Sequence, residues 1–167
     1  DGSLLRAWAS HKSLAARDGS DEPPGPDQGR NPEVDFRGKK RTNKTHVSRT
    51  DPDALLATKN TGVAYLSYAT HTLSENRHGL IVDVHTTQAT GTAEREAAKV
   101  MLERRAVPRH ADRPITVGAD RGYDVAEFVQ ALQDMGMVPH VAAKTQGSAV
   151  PEHLIASAPW QVIFIAH

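Results

Sequence analysis

The sequence predicts an α/β protein with a mixed sheet, in which an antiparallel hairpin and parallel strands lie beside helices. Residues 63–88 contain two runs rich in β-branched and aromatic residues, separated by a turn. Residues 92–142 alternate between amphipathic helical segments and short apolar runs. A third observation is a long polar stretch, residues 17–60, which we expect to be a loop inserted between these elements.

The hairpin is predicted from VAYLSYATHTL and LIVDVHTT, two runs composed largely of residues that favour strands. The intervening residues 75–79 end in a glycine, which can adopt the positive φ of a tight turn. Apolar and polar residues alternate in the second run, so one face is more apolar than the other. We expect that face to turn toward the core, with Leu80, Val82 and Val84.

Two amphipathic helices are predicted after the hairpin. The first spans about residues 92–105, with glutamates in its first turn and arginines in its last, as the helix dipole favours. The second is predicted to begin with Asp124 as N-cap and Glu127 as its capping-box partner, and to end before Gly136. Strands are predicted at residues 115–120 and 138–142. Alternation of strands and helices implies parallel pairing through right-handed crossovers.

Composition excludes several classes of site. The 167 residues include no cysteine, which rules out disulfides, thiolate metal sites and cysteine nucleophiles. No apolar run approaches the roughly 20 residues of a membrane-spanning helix. The nine histidines contain no metalloprotease motif or closely paired ligand set, so we expect them to be scattered over turns and the surface. Because the formal net charge is zero, any contact with nucleic acid must rest on local charge.

Two aspartates are candidates for chemistry. Asp120, in GADRGYD, follows a predicted strand, at the sheet edge where α/β proteins place catalytic groups. The alternative is structural, with Asp120 and Gly122 shaping the strand exit and Asp124 capping the next helix. Asp1, in DGS, is the second candidate, and its alternative is also a turn. Carboxylates at separate strand ends can together hold the divalent cations used in phosphodiester chemistry.

A basic stretch within the long insert is a candidate for contacting DNA. Its cations are Arg37, Lys39, Lys40, Arg41 and Lys44. Such residues neutralise phosphates and give salt-dependent binding without reading the base sequence. Phe36 is the only aromatic residue nearby, so we do not expect this stretch to stack on bases. The alternative is a solvated charged loop.

Four blocks of the sequence, in chain order, resemble insertion sequence family 5 transposases: DGSLLRAWASHKS, GRNPEVDFRGKKRTNKTHVSRTDPDA, ENRHGLIVDVHTTQATGTAEREAA and GADRGYD. The resemblance implies an RNase H-like catalytic domain of the DDE type in a cytoplasmic, nucleoid-associated protein. It also implies that Asp1 and Asp120 are the first two catalytic, metal-holding acids, with Mg²⁺ or Mn²⁺ as cofactor. The implied partners are DNA, as transposon ends and target, and another copy of the protein, but not a membrane.

The sequence departs from this family at the third acid. The family carries a glutamate in a Tyr–Arg–Glu context, but here no tyrosine follows Tyr123 and no arginine follows Arg121. Glu152 lies in the unrelated context AVPEHLI. We therefore expect residues 1–143 to be a partial DDE catalytic domain, truncated at both ends and inactive alone, and residues 144–167 to be a divergent tail. The alternatives are a non-catalytic DNA-binding or inhibitory remnant and a decayed product without function.

Overall fold

The computed structural model describes residues 2–20, 41–59, 62–105, 114–150 and 162–166. The chain forms two compact units. The first unit comprises residues 1–3, 70–87 and 91–167, and the second comprises residues 4–69 and 88–90.

Strands outnumber helices in the described residues. The strands are β1 (Gly2–Arg6), β2 (Leu14–Ala16), β3 (His46–Ser48), β4 (Leu55–Ala57), β5 (Tyr65–Glu75), β6 (Ile81–Gln88), β7 (Thr116–Ala119), β8 (Val138–Val141) and β9 (Val162–Ala166). The α-helices are α1 (Ala93–Glu103) and α2 (Ala126–Asp134), and two short 3-10 helices span His11–Ser13 and Arg121–Tyr123. Over this part of the chain, no helix has both the length and the apolar character required to cross a bilayer.

The first unit is built on a mixed sheet of seven strands with the order β1-β5-β9-β7-β8, in which β4 and β6 also pair with β5. The predicted hairpin forms β5 and β6, and β9 runs antiparallel to the end of β5, with Thr72 opposite Ala166. β7 pairs in parallel with β8 on one edge and with β9 on the other. The predicted combination of an antiparallel hairpin with parallel strands is confirmed.

The core of the first unit lies between the sheet and the two helices. Each helix buries the apolar stripe that its 3.6-residue period predicts. The largest core side chains, each at most 2% exposed, are Leu73, Met101, Leu102, Val117, Tyr123, Phe128 and Leu132. Truncating one such side chain to alanine typically costs about 2–5 kcal/mol, so this core holds the helices against the strands.

The predicted capping box at the start of α2 was wrong. The N-cap is Val125, which makes no side-chain capping hydrogen bond. Glu127 pairs instead with Lys99 of α1, with 2.6 Å between carboxylate oxygen and ammonium nitrogen. Asp124 is directed toward the loop after β8. The local sequence satisfies the capping pattern, but tertiary partners compete for both carboxylates.

The predicted end of α2 was correct. Gly136 has φ 71°, the left-handed conformation that glycine adopts without strain. The N–H of Met137 donates to the carbonyl of Leu132 at 2.9 Å, and the N–H of Gly136 donates to Gln133 at 2.9 Å. This pair of bonds is the Schellman motif, which satisfies the last helical carbonyls.

The prediction for the inner face of β6 was wrong for two of its three residues. Leu80 and Val84 are 61% and 50% exposed, and only Val82 packs against the core. The side chain of Asp83 is only 16% exposed and lies 3.6 Å from a guanidinium nitrogen of Arg104, the residue that follows α1. Asp83 lies on the opposite face of β6 from Val82, and this carboxylate can be largely buried there because a cation is positioned to compensate it.

The second unit contains a small antiparallel pair, β2 with β3, and β4 paired antiparallel with the start of β5. The strands β3 and β4 fall within residues 17–60, the stretch expected to be a loop. Asn43 fixes the position of β4, because its amide donates to the carbonyl of Leu56 at 2.9 Å and accepts from the same residue's N–H at 2.7 Å. Leu14, Ala54 and Leu66 form a small separate core.

Candidate functional site at the end of β7

Asp120 is the first residue after β7, a strand with a neighbour on each edge. Thr116 and Val117 of this strand are completely buried. At its other end Ala119 lies opposite Val141 of β8. The side chain of Asp120 is exposed to solvent. The chain therefore presents a carboxylate at the carboxyl end of a rigidly held strand, which is the location predicted from the sequence.

A tight turn fixes the carboxylate of Asp120. Its Oδ1 accepts a hydrogen bond from the N–H of Gly122 at 2.7 Å and caps the 3-10 helix that follows. A Cβ at position 122 would lie 3.0 Å from this same oxygen, so a larger residue there would push the Asp120 carboxylate by a few tenths of an ångström. The structural interpretation is therefore correct for Asp120 and Gly122, which shape the strand exit, but wrong for Asp124, which does not cap the next helix. The turn is compatible with a chemical role, because it orients an exposed carboxylate.

Tyr123 anchors this turn in the core of the first unit. It is 2% exposed, and its ring centroid lies 5.0 Å from that of Phe128. Burial raises the pKa of the Tyr123 hydroxyl, and the charges of Glu94 and Asp120 raise it further. Tyr123 is therefore neutral at physiological pH. Glu94, in the first turn of α1, contributes negative potential beside the turn.

Asp124 joins the loop after β7 to the loop after β8. It is 1% exposed, and its two carboxylate oxygens accept from the N–H groups of Lys144 at 2.6 Å and Ala149 at 2.7 Å. Burial acts to raise the pKa of Asp124, but these backbone donors outweigh it and hold the pKa below its usual value. The Lys144 ammonium also donates to the Asp124 carbonyl. No sequence pattern indicates this role, because nothing local identifies amides 20 and 25 residues away.

The remaining candidate residues are placed as follows. Asp1, Arg37, Lys39 and Lys40 lie outside the described residues. Arg41 is half-buried, and its guanidinium donates to the carbonyl of His11 at 3.1 Å, so it has a structural contact in the second unit. Lys44 is exposed on the turn before β3. Among the described residues, the structure does not bring a second predicted acid to Asp120.

The described residues supply one candidate ligand for a divalent cation. Within these ranges, no three His, Asp or Glu side chains lie close enough together to hold a metal ion. Mg²⁺ in proteins is often held by one or two carboxylates, with waters and phosphate oxygens completing its shell. An exposed carboxylate fixed at a strand end, such as that of Asp120, is suited to be one of these ligands.

The buried histidine His71 contacts a residue of the neighbouring strand. Its Nε2 lies 3.0 Å from the hydroxyl of Thr87 on the neighbouring strand β6. Burial lowers the pKa of the His71 imidazole, so the ring is neutral at physiological pH. Because the ring is only 2% exposed, His71 cannot reach a substrate at the surface.

A protein-family model described as a transposase DDE domain matches residues 37–152, which is 116 of the 167 residues. The chain belongs to this family. The match confirms the predicted class, and it contains Asp120 and the whole basic stretch, whereas Asp1 precedes it. No curated protein and no solved structure matches the chain. As a member of the transposase DDE family, the chain is associated with DNA transposition.

The bridge made by Asp124 leads to a prediction about stability. Asp124→Ala leaves two partly buried N–H groups without an acceptor, and a fully buried group of this kind costs about 1–3 kcal/mol. We expect the free energy of unfolding, measured by urea denaturation, to fall by about 2–5 kcal/mol. Asp124→Asn keeps one acceptor oxygen and should lose roughly half as much.

The matched control is Asp134→Ala, which removes an exposed carboxylate of the same unit and should change stability by less than about 0.5 kcal/mol. Since the pKa of Asp124 is depressed, its contribution is complete above its ordinary pKa of 3.8 and is lost as the pH falls through the native value. An Asp124→Ala variant as stable as the Asp134→Ala control at neutral pH would contradict the bridging role.

Proposed function

We propose that this chain carries part of the catalytic machinery of an insertion sequence family 5 transposase, with an RNase H-like fold. The reaction is metal-dependent cleavage of DNA phosphodiesters followed by strand transfer. The mixed sheet of the first unit supports the fold, since an antiparallel hairpin lies next to parallel strands. The observation that carries the proposal is Asp120, a fixed and exposed carboxylate at the end of β7 within the range matched by the family.

In this proposal Asp1 and Asp120 hold Mg²⁺ or Mn²⁺ as the first two acids of the DDE set. A divalent cation bound there would lower the pKa of an attacking water and neutralise charge on the scissile phosphate. The other residues of this site fix the position and orientation of the Asp120 carboxylate. Gly122 fixes the Asp120 carboxylate, Asp124 fixes the loop beyond it, and Tyr123 anchors the turn in the core.

In the intact family, the reaction would proceed by in-line displacement without a covalent bond between protein and DNA. Water is the nucleophile in the first step, and the 3′-hydroxyl that this step releases is the nucleophile in strand transfer. Positioning matters because an attacking oxygen about 3 Å from phosphorus, in line with the leaving group, gains most of the proximity advantage. Carboxylates held at a strand end by backbone hydrogen bonds suit that requirement better than carboxylates on a free loop.

We propose that the basic stretch provides the DNA-binding surface, through Arg37, Lys39, Lys40, Arg41 and Lys44. Lys44 supports this assignment, because it is an exposed lysine on a turn that the Asn43 amide ties to β4. Arg41 has a second role in structure, since it donates to the His11 carbonyl. Variants that test DNA contact should therefore change the lysines and leave Arg41 in place.

The proposed DNA-binding surface leads to a prediction about the salt dependence of DNA binding. The triple variant Lys39→Ala, Lys40→Ala, Lys44→Ala should bind duplex DNA more weakly, because it releases fewer counterions. The slope of log K against log salt concentration, measured by fluorescence anisotropy, should become shallower by roughly 0.9 for each phosphate that the variant no longer neutralises. Lys99→Ala, which removes an ion-paired lysine on α1, is the matched control and should leave the slope unchanged. An unchanged slope in the triple variant would remove the lysines from the interface.

Another prediction concerns cleavage. The third acid expected of the family, in its Tyr–Arg–Glu context, is missing from the sequence. We expect the chain to bind transposon-end DNA but to give no strand cleavage with Mg²⁺ or Mn²⁺ in a gel assay. Clear turnover that Asp120→Asn abolishes would contradict this inactivity and would show that another residue supplies the third carboxylate.

The missing third acid also favours a second candidate function. A chain that keeps DNA-binding surfaces without cleavage would compete with an intact transposase for the same ends. Adding this chain to a transposition reaction of an intact family member should then slow the reaction, and the triple lysine variant should slow it less.

A further inference from the structure

Several aromatic and apolar side chains of the second unit are exposed near the end of β1 and the start of β5, and those around Tyr65 are called the patch. Trp8 is fully exposed, at 101%, and Leu5, Val63 and Tyr65 are 57%, 63% and 44% exposed. The N–H of Ala7 donates to the carbonyl of Leu66 at 2.9 Å, which fixes the two segments side by side. Fully exposing a tryptophan forfeits the burial of one of the largest apolar side chains, so this patch is suited to covering by a ligand.

Polar residues beside the patch are arranged around Tyr65. The guanidinium carbon of Arg6 lies 3.4 Å from the centroid of the Tyr65 ring, a stacked cation–π contact. The His11 ring is 5.9 Å from the same ring, and its Nε2 lies 2.7 Å from the carbonyl oxygen of Ala64. Tyr65 and Arg6 are therefore held in place before any ligand arrives, with a flat guanidinium that can contact a phosphate.

The charge of the second unit indicates what the patch binds. Its described residues carry seven cations, Arg6, Lys12, Arg17, Arg41, Lys44, Arg49 and Lys59, and only three acids, Asp18, Asp51 and Asp53. The described residues of the first unit carry more acids than cations. A basic surface that displays exposed aromatic rings matches a polyanion with planar bases.

We propose that the patch formed by Trp8, Tyr65 and Arg6 is a binding site for single-stranded DNA. Trp8 stacks on an unpaired base, and Arg6, held on the Tyr65 ring, contacts an adjacent phosphate. This site supplies the base stacking that the basic stretch lacks, where Phe36 is the only aromatic residue. Every base has a stacking face, so the site is tolerant of sequence. Duplex DNA keeps its bases stacked and offers Trp8 no comparable face.

This inference rests on the DNA binding in the proposed function, because the transposon ends that an intact family member cleaves and transfers expose unpaired DNA. It extends that function with a distinct class of ligand, an unpaired strand. It also divides the recognition of DNA into two tasks, with the lysines contacting phosphates of either form and Trp8 contacting unpaired bases alone.

The test uses the full chain carrying Trp160→Phe, so that Trp8 is the only tryptophan. Titration with an oligothymidylate longer than about 16 nucleotides should quench Trp8 fluorescence. With Trp160 retained, Trp8→Ala should weaken oligothymidylate binding by about 5- to 100-fold, measured by anisotropy of a labelled oligonucleotide. Trp8→Phe should retain most of the affinity for oligothymidylate. Trp8→Ala should change the affinity for duplex DNA by less than about twofold. Ile81→Ala, at a residue of β6 that is 62% exposed, is the control and should change nothing.

The outcomes separate this inference from the function on which it rests. If the chain binds neither duplex nor single-stranded DNA, the proposed function fails. If both bind but Trp8 is not quenched and Trp8→Ala binds oligothymidylate normally, the stacking site is wrong and the proposed function survives. Equal losses on duplex and single strand would overturn base stacking as well. A change in sedimentation of Trp8→Ala without a change in DNA affinity would overturn it too and would assign the patch to contact with a second copy of the chain.

Discussion

The arrangement of the first unit depends on one constraint, the pairing of β7 along both of its edges. Parallel ladders to β8 and β9 hold this strand, and its buried residues leave it no freedom to shift in register. Asp120 is therefore fixed in position, because it is the first residue to leave the ladder. The Gly122 N–H then sets the orientation of its carboxylate, and the Asp124 bridge holds the loop beyond it. The burial and pairing of β7, together with the capping hydrogen bond of Asp120, hold an exposed carboxylate in a fixed position.

Much of this unit could be predicted from local patterns. Local sequence patterns predict the hairpin, both helices and the strands β7 and β8. Alternation and helical periodicity indicate which residues are buried, and turn residues indicate where the elements end. The position of Asp120 follows from the same logic, because a short apolar run followed by a polar Gly-containing turn indicates a buried strand and its exit. The end of α2 was also predictable, since only glycine adopts φ 71° there without strain.

Tertiary partners determine the parts that could not be predicted. Asp124 satisfies the N-cap pattern, but its carboxylate bonds to amides that are distant in sequence. On β6, an ion pair with Arg104 allows Asp83 to be largely buried while Val84 on the other face is exposed, and the sequence pattern does not indicate this pair. The strand β9 lies near the end of the sequence, where a five-residue apolar run is too short to indicate which strands it joins. The exposure of Trp8 is likewise a tertiary property that the sequence does not reveal.

We propose that Asp1 and Asp120 share a divalent cation at the end of β7. The most direct measurement is an NMR titration of the ¹⁵N-labelled chain with substoichiometric Mn²⁺, because a paramagnetic ion broadens only nearby amide signals. We expect the signals of Gly2 and Arg121 to broaden together and before all others. Asp120→Asn should abolish both effects, and Asp134→Asn should abolish neither. Broadening at Arg121 without Gly2, or broadening that Asp120→Asn leaves intact, would contradict this proposal.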